Sequence, residues 1–137
     1  MNSNKLDLFR GKGPYLLGPD GAPDATVPVL GVGEARAMGN RGGGNEEGHG
    51  MPGFVEVGQG QIAWAAEWMT GFLGWQPAER FVGHVFLHQV THLAWHEGTI
   101  LRFTYRGSEE GLFLAEFADA ASMLGVRNAL EAQGQGK

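Results

Sequence analysis

The chain has 137 residues, with 24 glycines, six prolines, no cysteine and a formal net charge of −5 from 10 basic and 15 acidic residues. This length supports one domain with one core. The lack of cysteine excludes disulfides, thiolate-ligated metal sites and thiol nucleophiles. No apolar stretch reaches the roughly 18 residues of a membrane-spanning helix, and the first twenty residues lack the apolar centre of a signal peptide, so we expect a cytoplasmic protein.

The charge pattern limits the classes of partner. Nucleic acids and anionic membranes bind chiefly through clustered Lys and Arg, and this acidic chain has no basic run. We therefore expect no nucleic-acid partner, and a membrane surface is a poor candidate.

The first part of the chain is rich in turn signals. Residues 1–26 carry Gly13-Pro14, Gly18-Pro19 and Asp20-Gly21 around short apolar pieces with no lasting period, which predicts an irregular arm. Residues 27–134 are predicted to form a single domain. Within it, residues 39–53 have too little apolar area to offset the entropy of ordering them, which predicts a mobile glycine-rich loop.

The remaining segments are mostly strand-like. Short apolar runs rich in β-branched and aromatic residues predict strands over residues 27–38, 54–68, 81–95, 100–106 and 111–117. Glu97-Gly98 is typical of a tight hairpin between the third and fourth of these, and Gly58-Gln59-Gly60 indicates a turn or a bulge.

The last segment changes period. Asp119 is a suitable N-cap, apolar residues then recur every three or four positions, and Gly134 can end the helix. The predicted fold class is therefore mainly β with one helix (α+β): a bent antiparallel barrel or sheet that one C-terminal amphipathic helix closes.

A family resemblance supports this class. The run Val85-Phe86-Leu87-His88-Gln89-Val90-Thr91-His92-Leu93, the Gly98 turn, residues 100–103 and the strand 112–117 leading directly into its helix resemble the pleckstrin-homology-like superfold, GRAM-type, over about residues 54–132. The resemblance implies a bent barrel with a helical cap and a module that binds a protein or a peptide. Its lipid-binding members carry several basic residues in the loop between the first two strands, where this chain has only Arg41 beside Glu46 and Glu47. Because this chain lacks most of those basic residues, lipid binding is ranked as the second alternative function.

Four of the five histidines, His84, His88, His92 and His96, recur every four residues. On a helix, this spacing would let His88 and His92, with His84 or His96, chelate zinc or another divalent metal, which is the first alternative function. On a strand, neighbouring histidines would lie about 13 Å apart, too far for one ion to bridge. They would then be solvent-facing residues or a pH-dependent contact surface.

The residues between the histidines favour the strand. Val85, Leu87, Leu93 and Trp95 alternate with them, so a strand separates the apolar side chains from most of the polar ones. With a strand, no cofactor is expected.

The interaction site that the sequence predicts is an apolar loop. Residues 69–74 (MTGFLG) and Trp75 are apolar where a loop is expected, and exposed aromatic residues commonly anchor interfaces. Phe72, Leu73 and Trp75 are therefore the candidate partner-binding residues, for another protein or for a second copy of this chain.

Catalytic and nucleotide-binding patterns are weak. The three serines lie in a tail, a turn and a helix without a G-x-S-x-G elbow, and His49 with Glu46 and Glu47 lies in the predicted mobile loop. Gly31-Val32-Gly33 is not followed by the helix that a dinucleotide fingerprint needs, which indicates strand bulges or turns instead. The sequence thus predicts a non-enzymatic interaction module.

Overall fold

The computed structural model describes residues 13–41, 51–70, 76–107 and 110–135. Seven strands lie in one antiparallel sheet: β1 Gly31–Arg41, β2 Met51–Gly58, β3 Gln61–Thr70, β4 Gln76–Phe86, β5 Val90–His96, β6 Ile100–Arg106 and β7 Glu110–Phe117. A short 3-10 helix, Leu87–Gln89, joins β4 to β5, and the helix α1, Ala120–Glu131, follows β7. The predicted mainly-β class with one C-terminal helix is confirmed.

The strand order is β4-β3-β2-β1-β7-β6-β5. β1 pairs with β2 on one side and with β7 on the other. It therefore joins two meanders, β1 to β4 and β5 to β7, in each of which strands that follow one another in the chain are paired. The sheet is bent and is not closed into a barrel. As a result, β4 and β5 form the two outer edges of the described sheet.

The core lies on the concave side of this bend. The side chains of Trp64 on β3, Phe103 on β6 and Phe113 on β7 are buried there, and the ring centroids of Trp64 and Phe113 are 4.2 Å apart. These residues come from both meanders. Their contact therefore holds the two meanders of the bent sheet together, because aromatic rings bury the largest apolar areas of any side chain.

The helix α1 packs closely on β1. A Cβ built on Gly31 would lie 2.1 Å from the backbone oxygen of Gly125, and one built on Gly33 would lie 2.3 Å from that of Ser122. The two glycines therefore belong to a regular strand that a helix approaches closely, and the predicted bulges or turns at this place are wrong. Asp119 caps α1 as predicted, since its carboxylate accepts a hydrogen bond from the Ser122 N–H at 2.8 Å.

Two predicted strands are in fact two strands each. Residues 54–68 divide into β2 and β3 at a turn where Gly60 has φ +70°, a conformation that glycine adopts without steric cost. Residues 81–95 divide into β4, the 3-10 helix and β5. The single-strand predictions for these two segments are therefore wrong, although their extended character is confirmed.

The ends of other predicted segments also move. The first strand begins at Gly31 and continues to Arg41, and β2 begins at Met51, so the two ends of the predicted loop 39–53 are strand residues. Residues 42–50, which include Glu46, Glu47 and His49, lie outside the described residues. The hairpin at Glu97 and Gly98 is confirmed, since both have positive φ, 54° and 79°.

Candidate functional site

A segment before the sheet, residues 13–24, lies on the convex face of β2 and β3. We call it the N-terminal segment. Its Leu16 is only 2% exposed, and the ring of Tyr15 meets the ring of Phe54 edge to face at 5.2 Å. Gly58 and Ala65 leave room for this layer, because they present no side chain or a single methyl group on that face. The predicted irregular arm is thus packed against the sheet where it is described.

Gln61, the first residue of β3, fastens the N-terminal segment to the sheet. Its side-chain Oε1 accepts a hydrogen bond from the Leu17 N–H at 2.8 Å, and its Nε2 donates to the Leu17 carbonyl at 2.9 Å. The amide therefore pairs with Leu17 as a neighbouring strand would. The same Oε1 lies 2.7 Å from Nε2 of His84 on β4, so one buried side chain connects three parts of the molecule.

An apolar groove of about 660 Å³ lies between the N-terminal segment and β4. Its lining from the segment is Pro14, Tyr15, Leu17 and Pro23, and its lining from β4 is Val82, Gly83 and His84. Val82 is 42% exposed there. None of these lining residues carries a carboxylate, an ammonium or a guanidinium group.

The groove follows an open edge of the sheet. In the described sheet β4 has β3 on one side and no strand on the other. The Phe86 N–H donates to Oε1 of Gln89 in the following 3-10 helix, so it points away from β3. Backbone groups alternate sides along a strand, so Val82 and His84 direct their N–H and C=O groups the same way as Phe86. The open backbone edge of β4 and the apolar groove therefore lie at the same residues, Val82 and His84.

The opposite edge of the sheet differs in character. β5 has seven residues, and its exposed side chains include Thr91, His92 and His96. Polar side chains make an edge strand less favourable for pairing, whereas a register shift occurs at both edges, between Val90 and His92 in β5 and opposite Trp68 and Met69 in β4. The edge at β4 has 11 residues and an apolar surface beside it.

The four histidines do not form the helical stripe. His84 lies in β4, His88 in the 3-10 helix, and His92 and His96 in β5. His84 is half-buried and the other three are exposed. Over residues 13–41, 51–70, 76–107 and 110–135, no group of three or more His, Asp or Glu side chains is placed to hold a metal ion. The helical interpretation of residues 78–97 is wrong, and metal binding stays an untested prediction.

Three of these histidines have specific neighbours. The ring of Phe86 stacks on His88 with centroids 5.7 Å apart and meets His84 edge to face at 4.8 Å. Nδ1 of His92 lies 3.4 Å from Oγ1 of Thr104 on β6. Burial lowers the pKa of His84 from its ordinary value, because the charged imidazolium loses hydration in the groove.

The loop residues predicted to bind a partner, Phe72, Leu73 and Trp75, lie outside the described residues, so that site stays a prediction. Sequence reasoning missed the groove instead. Its signals were present, since Tyr15 and Leu17 are apolar residues set between Gly-Pro turns, and Val82 is an apolar residue on the polar side of the β4 alternation. Neither signal says that the two segments meet.

Comparison with protein-family models, with curated proteins and with solved structures gives no match for this chain. The pleckstrin-homology-like resemblance therefore stays a prediction. In the part of the chain that the structure describes, no helix is both long enough and apolar enough to cross a membrane.

Proposed function

We propose that this protein is a non-enzymatic interaction module of the cytoplasm that binds an extended, uncharged segment of a partner protein as an added strand on β4. The observation that carries the proposal is the coincidence of an open strand edge with an apolar groove at Val82, Gly83 and His84. An added strand would satisfy the outward N–H and C=O groups of β4, and its side chains would fill the groove.

The chemistry of the groove supports an uncharged segment. Its described lining offers apolar side chains from Pro14, Leu17 and Val82 and no group of opposite charge for an ionic partner. A charged side chain would lose hydration in such a groove without gaining a counter-charge, which costs several kcal/mol. Valine, leucine, threonine or aromatic side chains would bury their apolar area there at no such cost.

The difference between the two sheet edges supports β4 as the binding edge. β5 exposes polar side chains, whereas β4 is longer and lies beside exposed apolar surface. An exposed apolar strand edge is an aggregation hazard in the absence of a partner. A partner segment that covers β4 would remove this hazard.

The proposal predicts that a charge at Val82 weakens binding. We would select peptides from a phage library of random twelve-residue sequences on the full chain, and measure the best synthetic peptide by calorimetry. Val82→Asp should weaken its binding by about tenfold or more, because the carboxylate would be buried beside an apolar peptide. Leu124→Asp is the matched control, since Leu124 is similarly exposed but lies on α1.

Two results would contradict the proposal. One is a selection that yields no peptide for the wild-type chain. The other is a peptide that binds wild type and Val82→Asp equally. If such a peptide lost its affinity for a Phe72→Ser, Trp75→Ser double variant, the site would lie in the loop that the sequence predicts.

A further inference from the structure

The hydrogen bonds around Gln61 determine which nitrogen of His84 carries a proton. Leu17 offers Gln61 one donor and one acceptor, so the amide oxygen must face the Leu17 N–H and the amide nitrogen must face its carbonyl. The atom 2.7 Å from His84 Nε2 is therefore an oxygen, which can only accept. Nε2 donates to it, and in the neutral ring Nδ1 is left with its lone pair.

His84 thus offers a hydrogen-bond acceptor in the groove. Nε2 is committed to Gln61, so Nδ1 is the ring nitrogen that remains to accept from a ligand in the groove, which His84 lines together with Val82 and Leu17. An added strand brings N–H groups along β4, and a threonine or serine would bring a hydroxyl. A few placed polar groups in a groove usually fix the orientation of the ligand.

The charges around His84 are few. On β2, Glu56 occupies the same sheet face beyond Ala63, about 10 Å away by the spacing of two strands. In the 3-10 helix, His88 is separated from His84 by the Phe86 ring, and the N-terminal segment contributes the Tyr15 phenol to the groove. Desolvation outweighs the described neighbours, since the pKa of His84 is lowered, which keeps the ring neutral at neutral pH.

We propose, resting on the proposed function, that Nδ1 of His84 accepts a hydrogen bond from an N–H or O–H donor of the bound segment, so that protonation of Nδ1 releases the segment. Protonation turns the acceptor into a donor and places a charge against an apolar ligand. Both changes oppose binding, and both occur at one atom.

The sign of the pH dependence follows from linkage. The bound segment excludes water from His84 and uses the Nδ1 lone pair, so the pKa of His84 is lower in the complex than in the free protein. Proton uptake by the free protein then competes with binding. Affinity is constant where the free protein is neutral at His84, and below that range it falls by up to about tenfold per pH unit, as one coupled proton requires.

The test uses the peptide selected at neutral pH and calorimetry between about pH 5 and 8, where histidine titrates. The affinity of the wild-type chain for the peptide should fall as the pH drops below the range in which His84 is neutral in the free protein. His84→Asn, whose side-chain oxygen replaces the Nδ1 acceptor without titrating, should bind with an affinity independent of pH. His84→Phe, which has no nitrogen, should bind at least tenfold more weakly than wild type at neutral pH. His88→Asn should keep the wild-type profile.

Nitrogen NMR of the imidazole rings gives a readout that needs no peptide and does not depend on variant stability. It should show His84 as the Nε2–H tautomer. The Nδ1–H tautomer would overturn the proposal, as would a wild-type affinity independent of pH for a peptide that Val82→Asp no longer binds. That second result would leave the proposed function intact, whereas failure to select any peptide would remove both.

Discussion

At the scale of single residues, Gly83 shows how a side chain on β3 shapes the β4 edge of the sheet. Gly83 is the direct partner of Trp64 across β3 and β4, and a Cβ at Gly83 would lie 2.2 Å from the indole ring. The ring thus occupies the place of the missing side chain, an arrangement in which an aromatic residue covers a strand glycine. Gly111 stands in the same relation to Tyr105 on β6.

We expect Gly83→Ala to destabilise the protein by about 1 to 3 kcal/mol, because the buried Trp64 ring must shift in a packed core. Urea unfolding measures the change. Gly107→Ala is the matched control, since its Cβ would meet only the Gln89 amide nitrogen at 3.6 Å, and it should change stability by less than about 1 kcal/mol. Equal effects of the two substitutions would show that Trp64 does not occupy this space.

At the scale of the elements, the docking of α1 depends on close approach to β1. Gly31 and Gly33 allow the helix backbone to lie against the strand, and the Ser122 hydroxyl accepts a hydrogen bond from the Glu34 N–H at 3.1 Å. Val126 and Leu130 are then fully buried against the concave face. The helix is held by packing of this face more than by its own helix propensity.

Gly33→Ala should therefore loosen α1 without changing its sequence. The added methyl group would lie 2.3 Å from the Ser122 backbone oxygen, so the helix must move outward, and we expect a loss of about 3 kcal/mol in unfolding free energy. Hydrogen exchange of the α1 amides should accelerate. Ala121→Gly, at an exposed helix position, lowers helix propensity alone and should cost about 1 kcal/mol. A smaller effect from Gly33→Ala would contradict this packing argument.

The elements also show what the sequence could predict. α1, β6, β7 and the hairpin at Gly98 follow local rules of capping, alternation and turn chemistry, and all are present. The division of residues 54–68 depended on whether Gly60 ends a strand or interrupts it, which alternation alone does not decide. The groove could not be predicted, because Leu16 and Leu17 have no periodicity and their contacts lie far away along the chain.

At the scale of the whole molecule, one aromatic cluster joins the two meanders of the bent sheet. Phe113 lies 4.2 Å from Trp64 and 5.1 Å from Phe103 between ring centroids, and none of the three is more than 2% exposed. β3 reaches this cluster from one meander, and β6 and β7 from the other. The bend of the sheet is therefore stabilised at its centre.

Phe113→Ala should destabilise the whole protein by about 3 to 5 kcal/mol, because it leaves a cavity where the two meanders meet. Thermal and urea unfolding, followed by tryptophan fluorescence and by circular dichroism, should shift together. Leu124→Ala removes an apolar side chain of similar kind from the exposed face of α1 and should cost less than about 1 kcal/mol. Separate unfolding transitions by the two probes would mean that the two meanders unfold independently.

The position of β1 between β2 and β7 has a consequence for how the chain folds. Every other strand pair in the described sheet joins strands that follow one another in the chain, and only the pairing of β1 with β7 joins distant segments. Closing that long loop costs the most chain entropy for the fewest early contacts. We therefore expect the two meanders to form first and the zipping of β1 onto β7 to set the folding rate.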